Sequence, residues 1–423
     1  MASNSRRLFS SHDSIYTQMK VLVIGSYGYG NVGDDTYHFI IREFFDKYDV
    51  YDTRYVGDRY MLNIDGSICP SSNFNEDLLW EFDFLIIGGG GVLNERLFCP
   101  NNSINQYVKI ALKKNIPYYI TSVGFQDIER DDPISSIQEK YGLISAIINN
   151  SSLTFVRTVD DYFIARSLIS DKMIYKLGYY PDLVYALPNF KSVQKHRVKD
   201  VILVLYSNWL DVSLESVRKT IKKHKDANPN CKLIFMNWDG FNANVTCNVV
   251  EKNVAAIDKY FPGSTIYKGL TMDSRMNTNK LKNACYIDFE RDFSLDDAWD
   301  IMQRAKYVLT GRYHGVVYAK CSDVPCENID TMRYNNYKFQ ADIVSGHQDS
   351  DYIALSKRAY ISLDRIKNHM EKYSCGDSRL SQPEKWTKHD RNTYIVLASE
   401  RNVFDVKTVQ NWSNSQISDY LKS

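Results

Sequence analysis

Residues 20–48 read KVLVIGSYGYGNVGDDTYHFIIREFFDKY. The apolar run 20–25 is short enough for a strand buried on both faces, and the residues from Asp34 onward carry apolar side chains at helical spacing. A glycine-rich turn joins the two, so the stretch reads as the opening half of a strand–turn–helix–strand unit. Gly28, Gly30 and Gly33 stand at the spacing of a dinucleotide fingerprint, in which a helix N-terminus offers its N–H groups to a pyrophosphate. Here Asp34 and Asp35 follow at once at the expected helix start. Carboxylates there would satisfy those N–H groups themselves and repel a phosphate. Asp52 lies 19 residues beyond Gly33, but in YDVYDTRY (48–55) an acid at that distance carries little meaning. The loop is therefore not read as a nucleotide site, and no bound cofactor is expected.

The alternation continues outward from this unit. In the first half, strands are expected at 49–56, 82–88, 117–124 and 153–157, with helices between them. Around 178–200 two prolines and a charged stretch break the pattern, which places a domain boundary near residue 190. The alternation then restarts, with strands expected at 201–207, 231–238, 285–289 and 305–311 and helices through 212–225 and 248–260. Ser294 with Asp297 three residues on is a capping-box pattern. The expected fold class is α/β, with two Rossmann-like, doubly wound domains facing a cleft. The division reads as a flexible tail (1–19), an N-terminal domain (20–190), a C-terminal domain (191–365) and an unassigned extension (366–423).

The bulk composition excludes more than it identifies. In 423 residues, 24% are charged and the net charge is +1, which offers no electrostatic attraction to nucleic acid or an acidic membrane. Eight cysteines lie far apart without a zinc spacing, and read as mostly buried thiols in a reducing compartment. No metal site is expected. Residues 1–19 lack the apolar core of a secretory signal, and FLIIGGGGVL is too short to span a membrane. A cytoplasmic protein is expected, for which a homo-oligomer is compatible.

Three glycine-rich turns follow apolar strands: the opening loop, IIGGGGVLNER (86–96) and LTGRYHGVVYA (309–319). The last is the most informative. Arg312 offers a planar fork of donors for a carboxylate or phosphate, and His314 can act as a general acid or hold an anion. Tyr206, Trp209, Trp238 and Tyr313 are candidates either for stacking on a sugar or for the core.

GYGNVGDD, IIGGGGVLN, TFVRTVDDYF, YPDLVYALP and RAKYVLTGRYHGVVYAKCSDVPCENI…YNNYK occur in the order seen in the polysaccharide pyruvyl transferase family. The chain resembles that family from about residue 20 to 345. The resemblance implies a GT-B-like pair of domains and transfer of pyruvate from phosphoenolpyruvate onto two hydroxyls of a sugar or polysaccharide. The products would be a cyclic ketal and phosphate. It implies that Arg312, His314, Arg157 and Lys338 bind phosphoenolpyruvate, with His314 and Asp34 as catalytic groups. Asn31, Gly33, Gly89 and Gly90 would form the acceptor-side loops. The chain departs from the family pattern at Thr158, where an Asp usually follows the arginine; Asp160 or Asp161 are candidates for the displaced acid. Two other readings of the same residues are a nucleotide-sugar glycosyltransferase and a degenerate, non-catalytic glycan-binding homologue.

Overall fold

A computed structural model describes residues 18–28, 30–58, 60–65, 67–70, 75–94, 97, 102–125, 142–194, 197–207, 210–238, 247–269, 293–329 and 352–376. The first domain is built on β1 (Met19–Gly25), β2 (Tyr51–Gly57), β5 (Phe84–Leu93), β6 (Tyr118–Phe125), β7 (Leu153–Val156) and β8 (Leu177–Tyr179), with a small antiparallel pair, β3 (Tyr60–Leu62) and β4 (Ile68–Pro70), beside it. The six long-sheet strands run in the order β2-β1-β5-β6-β7-β8, and every pairing is parallel. The helices α1 (Val32–Phe45), α2 (Ser103–Lys113), α3 (Gly142–Asn150) and α4 (Val159–Leu168) make the crossovers.

The second sheet holds β9 (Val201–Tyr206), β10 (Lys232–Asn237), β11 (Thr265–Tyr267), β12 (Ala305–Thr310) and β13 (Cys326–Asn328). Its order is β11-β10-β9-β12-β13, again all parallel. Its helices are α5 (Glu215–Ala227), α6 (Cys247–Tyr260), α7 (Leu295–Arg304) and α8 (Tyr313–Cys321). At the start of α7, Ser294 and Asp297 form the capping box that the sequence pattern implies. The strand expected at 285–289 lies outside the described residues.

Strand alternation assigns each apolar side chain to a layer. On the first sheet, Val21, Val23, Phe84 and Ile86 face one way, while Leu22, Ile24, Leu85 and Ile87 face the other. On the second, Leu203, Leu205, Ile234 and Met236 face inward, and Ile202, Val204 and Phe235 face outward. The two inward faces share one continuous core. The short turn Leu183–Asn189, wholly apolar and buried over its first five residues, runs between them. α9 (Tyr352–Ser374) completes the layer: Ala359, Leu363, Ile366 and Met370 enter the shared core. Its far end reaches the first sheet, where Tyr119 Oη meets His369 Nδ1 at 3.0 Å and Arg365 donates to Tyr180 Oη at 2.6 Å.

Position 366, expected to start the C-terminal extension, thus falls inside a helix that packs on the first domain. Among the described cysteines Cys231 and Cys321 are buried, whereas Cys375 is exposed. Among the described residues no helix is long and apolar enough to cross a membrane.

Polar contacts among the described residues tie the domains across this core. Val32 N donates to Trp238 O at 3.2 Å, Thr36 Oγ1 and Tyr318 Oη lie 2.5 Å apart, and Cys321 Sγ reaches Val184 O. A shared core predicts that both sheets unfold in one transition. Tyr318→Phe should lower stability by about 1 kcal/mol, because one buried hydrogen bond is lost while Thr36 keeps its bond to Val32 O. Urea unfolding followed by tryptophan fluorescence and by far-UV circular dichroism checks both points; two separated transitions would contradict the shared core.

Candidate functional site

In each sheet the strand order reverses direction at one place, and ligands of open α/β sheets bind outside the carboxyl ends of strands at such points. In the first sheet the reversal lies between β1 and β5, so the glycine loop before α1 and the Gly88–Gly91 stretch flank it. In the second it lies between β9 and β12, whose turn carries Gly311–Arg312–Tyr313–His314. The chain brings these two points together. A Cβ built on Gly33 would stand 1.8 Å from His314 Nδ1, so the start of α1 rests directly on the histidine ring. Only glycine permits that approach.

Asn31 is the N-cap of α1, its side chain accepting from Gly33 N at 3.0 Å and Asp34 N at 3.3 Å. Asp35 turns back to accept from Gly28 N at 2.6 Å. Capping thus falls to Asn31, a correction to the expectation that Asp34 and Asp35 do it. Relieved of that task, the half-buried Asp34 carboxylate lies against Gly90, whose Cβ would stand 2.9 Å from Asp34 Oδ1. Gly89, at φ +76, gives way in the same manner to the Tyr37 ring. Burial raises the Asp34 pKa above the ordinary carboxylate value, while His314, Arg157 and Arg312 pull the other way.

Opposite, Thr310 Oγ1 accepts from Arg312 N at 3.0 Å and closes the turn into α8. Arg312 is the N-cap of α8 but makes no side-chain cap bond. His314, in the first helical turn, points back across the seam. Its Nε2 lies 2.9 Å from Tyr37 Oη, 3.3 Å from Arg157 Nη1 and 3.6 Å from Asp182 Oδ2. Tyr37 Oη donates to Asp182 Oδ2 at 2.5 Å and accepts from Arg157 Nη1 at 2.9 Å. Asp182 is completely buried. Burial alone would raise its pKa, but His314, Arg157 and Tyr37 outweigh it and hold the carboxyl below its ordinary value. Arg157 is 4% exposed, paired with Asp182 at 3.3 Å and stacked with Tyr313 at 5.2 Å. Its charge stands behind His314 and Tyr313 rather than open in the cleft. Burial lowers its pKa, but Tyr37, Asp182 and Asp161 outweigh that, so it stays a cation.

Thr158 has a clear local role. It caps α4 by accepting from Asp161 N at 3.0 Å, and its hydroxyl donates to Asp161 Oδ2 at 2.7 Å. Asp161 also accepts from Phe125 N at 2.7 Å. Asp161 is thus one of two acids acting on Arg157, the other being Asp182, which pairs with it.

His314, Arg312, Arg157, Asp34, Asn31, Gly33, Gly89 and Gly90 thus converge on one seam, whereas Lys338 lies outside the described residues. Tyr206 and Trp238 are core side chains, Tyr313 is half-buried at the site, and Trp209 lies outside the described residues. The sequence singled out neither Tyr37 nor Asp182. Asp182 sits within the YPDLVYALP block, immediately before an apolar run, where a capping acid is a detectable signal. Among the described residues no group of three or more His, Cys, Asp or Glu is placed to hold a metal ion.

The profile of the family described as polysaccharide pyruvyl transferase matches residues 15–331. No curated protein matches the chain. Solved structures similar to it include a putative UDP-N-acetylglucosamine 2-epimerase from Listeria monocytogenes, 10% identical, covering 88% of this chain and 100% of that one at a TM-score of 0.49. Another is the UDP-N-acetylglucosamine 2-epimerase from Rickettsia bellii, 13% identical, covering 86% and 98% at a TM-score of 0.45. A third, the UDP-GlcNAc 2-epimerase from Neisseria meningitidis bound to UDP-GlcNAc, is 10% identical and covers 92% and 100% at a TM-score of 0.44.

Two stability tests follow from these contacts. Gly33→Ala should cost about 1–3 kcal/mol by overpacking. Most of that should return in the Gly33→Ala/His314→Ala double variant, a non-additivity on the order of 0.5–3 kcal/mol. Additive losses would mean that the ring does not occupy the Cβ space. Thr158→Asp is an equally good cap by type, yet it sets a second carboxylate against Asp161. It should lose about 1 kcal/mol at neutral pH and regain it with Asp161→Asn, as read from urea midpoints.

Proposed function

The chain belongs to the polysaccharide pyruvyl transferase family, and we propose that it moves pyruvate from phosphoenolpyruvate onto two hydroxyls of a sugar or polysaccharide. The observation that carries this reading is the contact of Gly33 with His314, which closes the two switch points around one cluster of acid, base and cation. Phosphoenolpyruvate carries a phosphate and a carboxylate, so its pocket needs fixed positive charge. Arg312 supplies it at the mouth of α8, and Arg157 supplies potential from behind. The two helix starts differ in a way that favours the donor on the second domain. Asn31 occupies the start of α1, whereas no side chain of Arg312 caps α8.

In the proposed reaction His314 protonates the methylene carbon, and the enol carbon becomes an oxocarbenium-like centre. A sugar hydroxyl attacks that carbon and gives its proton to the Asp34 carboxylate. The carbon–oxygen bond to phosphate then breaks and phosphate leaves beside Arg312; the second hydroxyl closes the ketal and gives its proton to His314, left neutral by the first step, while the proton on Asp34 departs with phosphate. No electrons are gained or lost overall, so no redox partner is required. Asp34 suits the base role because burial raises its pKa, which brings it nearer the pH at which it must work.

The first test is thermal stabilisation. Phosphoenolpyruvate at a hundredfold excess over its dissociation constant should stabilise the protein by about 2.7 kcal/mol, and Arg312→Ala should abolish the effect. Stabilisation by a nucleotide sugar and not by phosphoenolpyruvate would overturn the donor assignment. His314→Ala should cost about 10²–10⁴ in rate with the fold intact. A base must be deprotonated to act, so kcat/KM should rise with pH through a limb above the ordinary aspartate range. Asp34→Asn should remove that limb; a profile unchanged in that variant would assign the base elsewhere.

A further inference from the structure

Proton counting around Tyr37 fixes an atom-level property of His314. Tyr37 has one hydroxyl proton. Its oxygen lies 2.5 Å from Asp182 Oδ2, and that carboxylate is buried, ionised and able only to accept. The proton therefore lies on that bond. Arg157 Nη1 has two N–H groups and three acceptors within reach: Tyr37 Oη at 2.9 Å, Asp182 Oδ2 at 3.3 Å and His314 Nε2 at 3.3 Å. The shortest contact and the charge-assisted one to the carboxylate take both N–H groups, which leaves none for Nε2. With the phenol proton committed, the 2.9 Å contact between Tyr37 Oη and His314 Nε2 is a hydrogen bond only if Nε2 carries hydrogen.

We propose that Asp182 is a positioning residue: acting through Tyr37, it holds neutral His314 with Nε2 protonated, which leaves the lone pair on Nδ1, the edge turned to Gly33 at the start of α1. That this ring exchanges a proton with a donor substrate rests on the transferase reading above; the assignment of the nitrogens does not. The opposite tautomer would leave two lone pairs facing each other across 2.9 Å. Asp182 is itself fixed, because its Oδ1 accepts from Val184 N at 2.9 Å and Leu183 N donates to Ser122 Oγ at 2.7 Å. With no exposure it touches no substrate, and it acts only through its neighbours.

From α1 the ring faces Tyr37 and Asp34, from the end of β7 Arg157, from the turn after β8 Asp182, and from its own helix start Tyr313.

The test is histidine-selective ¹⁵N NMR of the full chain, which needs no substrate and so stands even if pyruvyl transfer fails. The His314 signal is identified by its loss in His314→Ala. In the wild type, neutral His314 should show the Nε2–H pattern. In Asp182→Asn the phenol proton is no longer fixed on a carboxylate, so the neutral ring should lose part of the Nε2–H pattern. Tyr37→Phe keeps both charges but removes the bridging oxygen, and should shift the neutral ring toward Nδ1–H. That variant carries the test if Asp182→Asn does not fold. An Nδ1–H wild type, or a folded Asp182→Asn or Tyr37→Phe that keeps the full wild-type pattern, would each overturn the proposal.

Discussion

The space that a side chain on Gly33 would fill is occupied by a histidine from the other domain, and the arrangement of the site depends on that contact. Two parallel sheets can face each other at many distances. Here the distance is set by backbone meeting ring, with the Val32–Trp238 and Thr36–Tyr318 hydrogen bonds flanking it on the same helix. α1 therefore acts as a wedge whose tip carries Asp34 and whose side carries Tyr37. Close-packed interiors transmit small displacements, so a shift at this tip would move Asp34, His314 and Arg157 together.

Beneath the contact lies an electrostatic arrangement that stability alone does not explain. A buried ion pair gains little over apolar side chains of similar volume, because both ions must be desolvated. Asp182 and Arg157 nevertheless stand almost wholly inside the protein, at side-chain exposures of 0% and 4%. Their hydrogen bonds are mutually satisfied through Tyr37, and such networks rigidify when complete. Their value is best sought in what they hold: a histidine from a different domain, in one orientation, with one nitrogen assigned. The residues of this network come from three separate places in the first domain, which makes the site a property of the assembled fold.

Most of the strands legible in the sequence are buried on both faces, because a continuous apolar run has few other uses; β2, a half-buried edge strand, is the exception. β8, β11 and β13 were not legible, since three-residue edge strands are defined by their partners and not by their own composition. The capping box at Ser294 was legible because its two residues and spacing specify the geometry. The cap of α1 was not, because Asn31, Asp34 and Asp35 are all capping types and only the backbone decides among them. Arg312 and His314 stood out as polar groups in a glycine turn. Tyr37 did not, because within an amphipathic helix it reads as one more core residue. Its partner Asp182 lies 145 positions away, a distance at which local pattern carries no information. The boundary expected at 366 falls inside α9 because the chain turns polar from there, although Ile366 and Met370 still point into the core.

The glycine spacing at 28, 30 and 33 shows how one pattern serves two chemistries. Gly28 and Gly30 adopt positive φ, as a tight turn requires. Gly33 does not need that freedom; its missing side chain admits His314. In a dinucleotide site the N–H groups at this helix start are left for a ligand. Here Gly28 N is taken by Asp35, and Gly33 N and Asp34 N by Asn31. A loop whose donors are consumed internally holds its own side chains in place instead of holding a phosphate. The carboxylate of Asp34 is thereby fixed at the cleft without a capping duty, and the opposing helix start at Arg312 is the one without a side-chain cap. The two helix starts thus differ in kind: the first holds a carboxylate beside its own capped donors, and the second begins at an arginine.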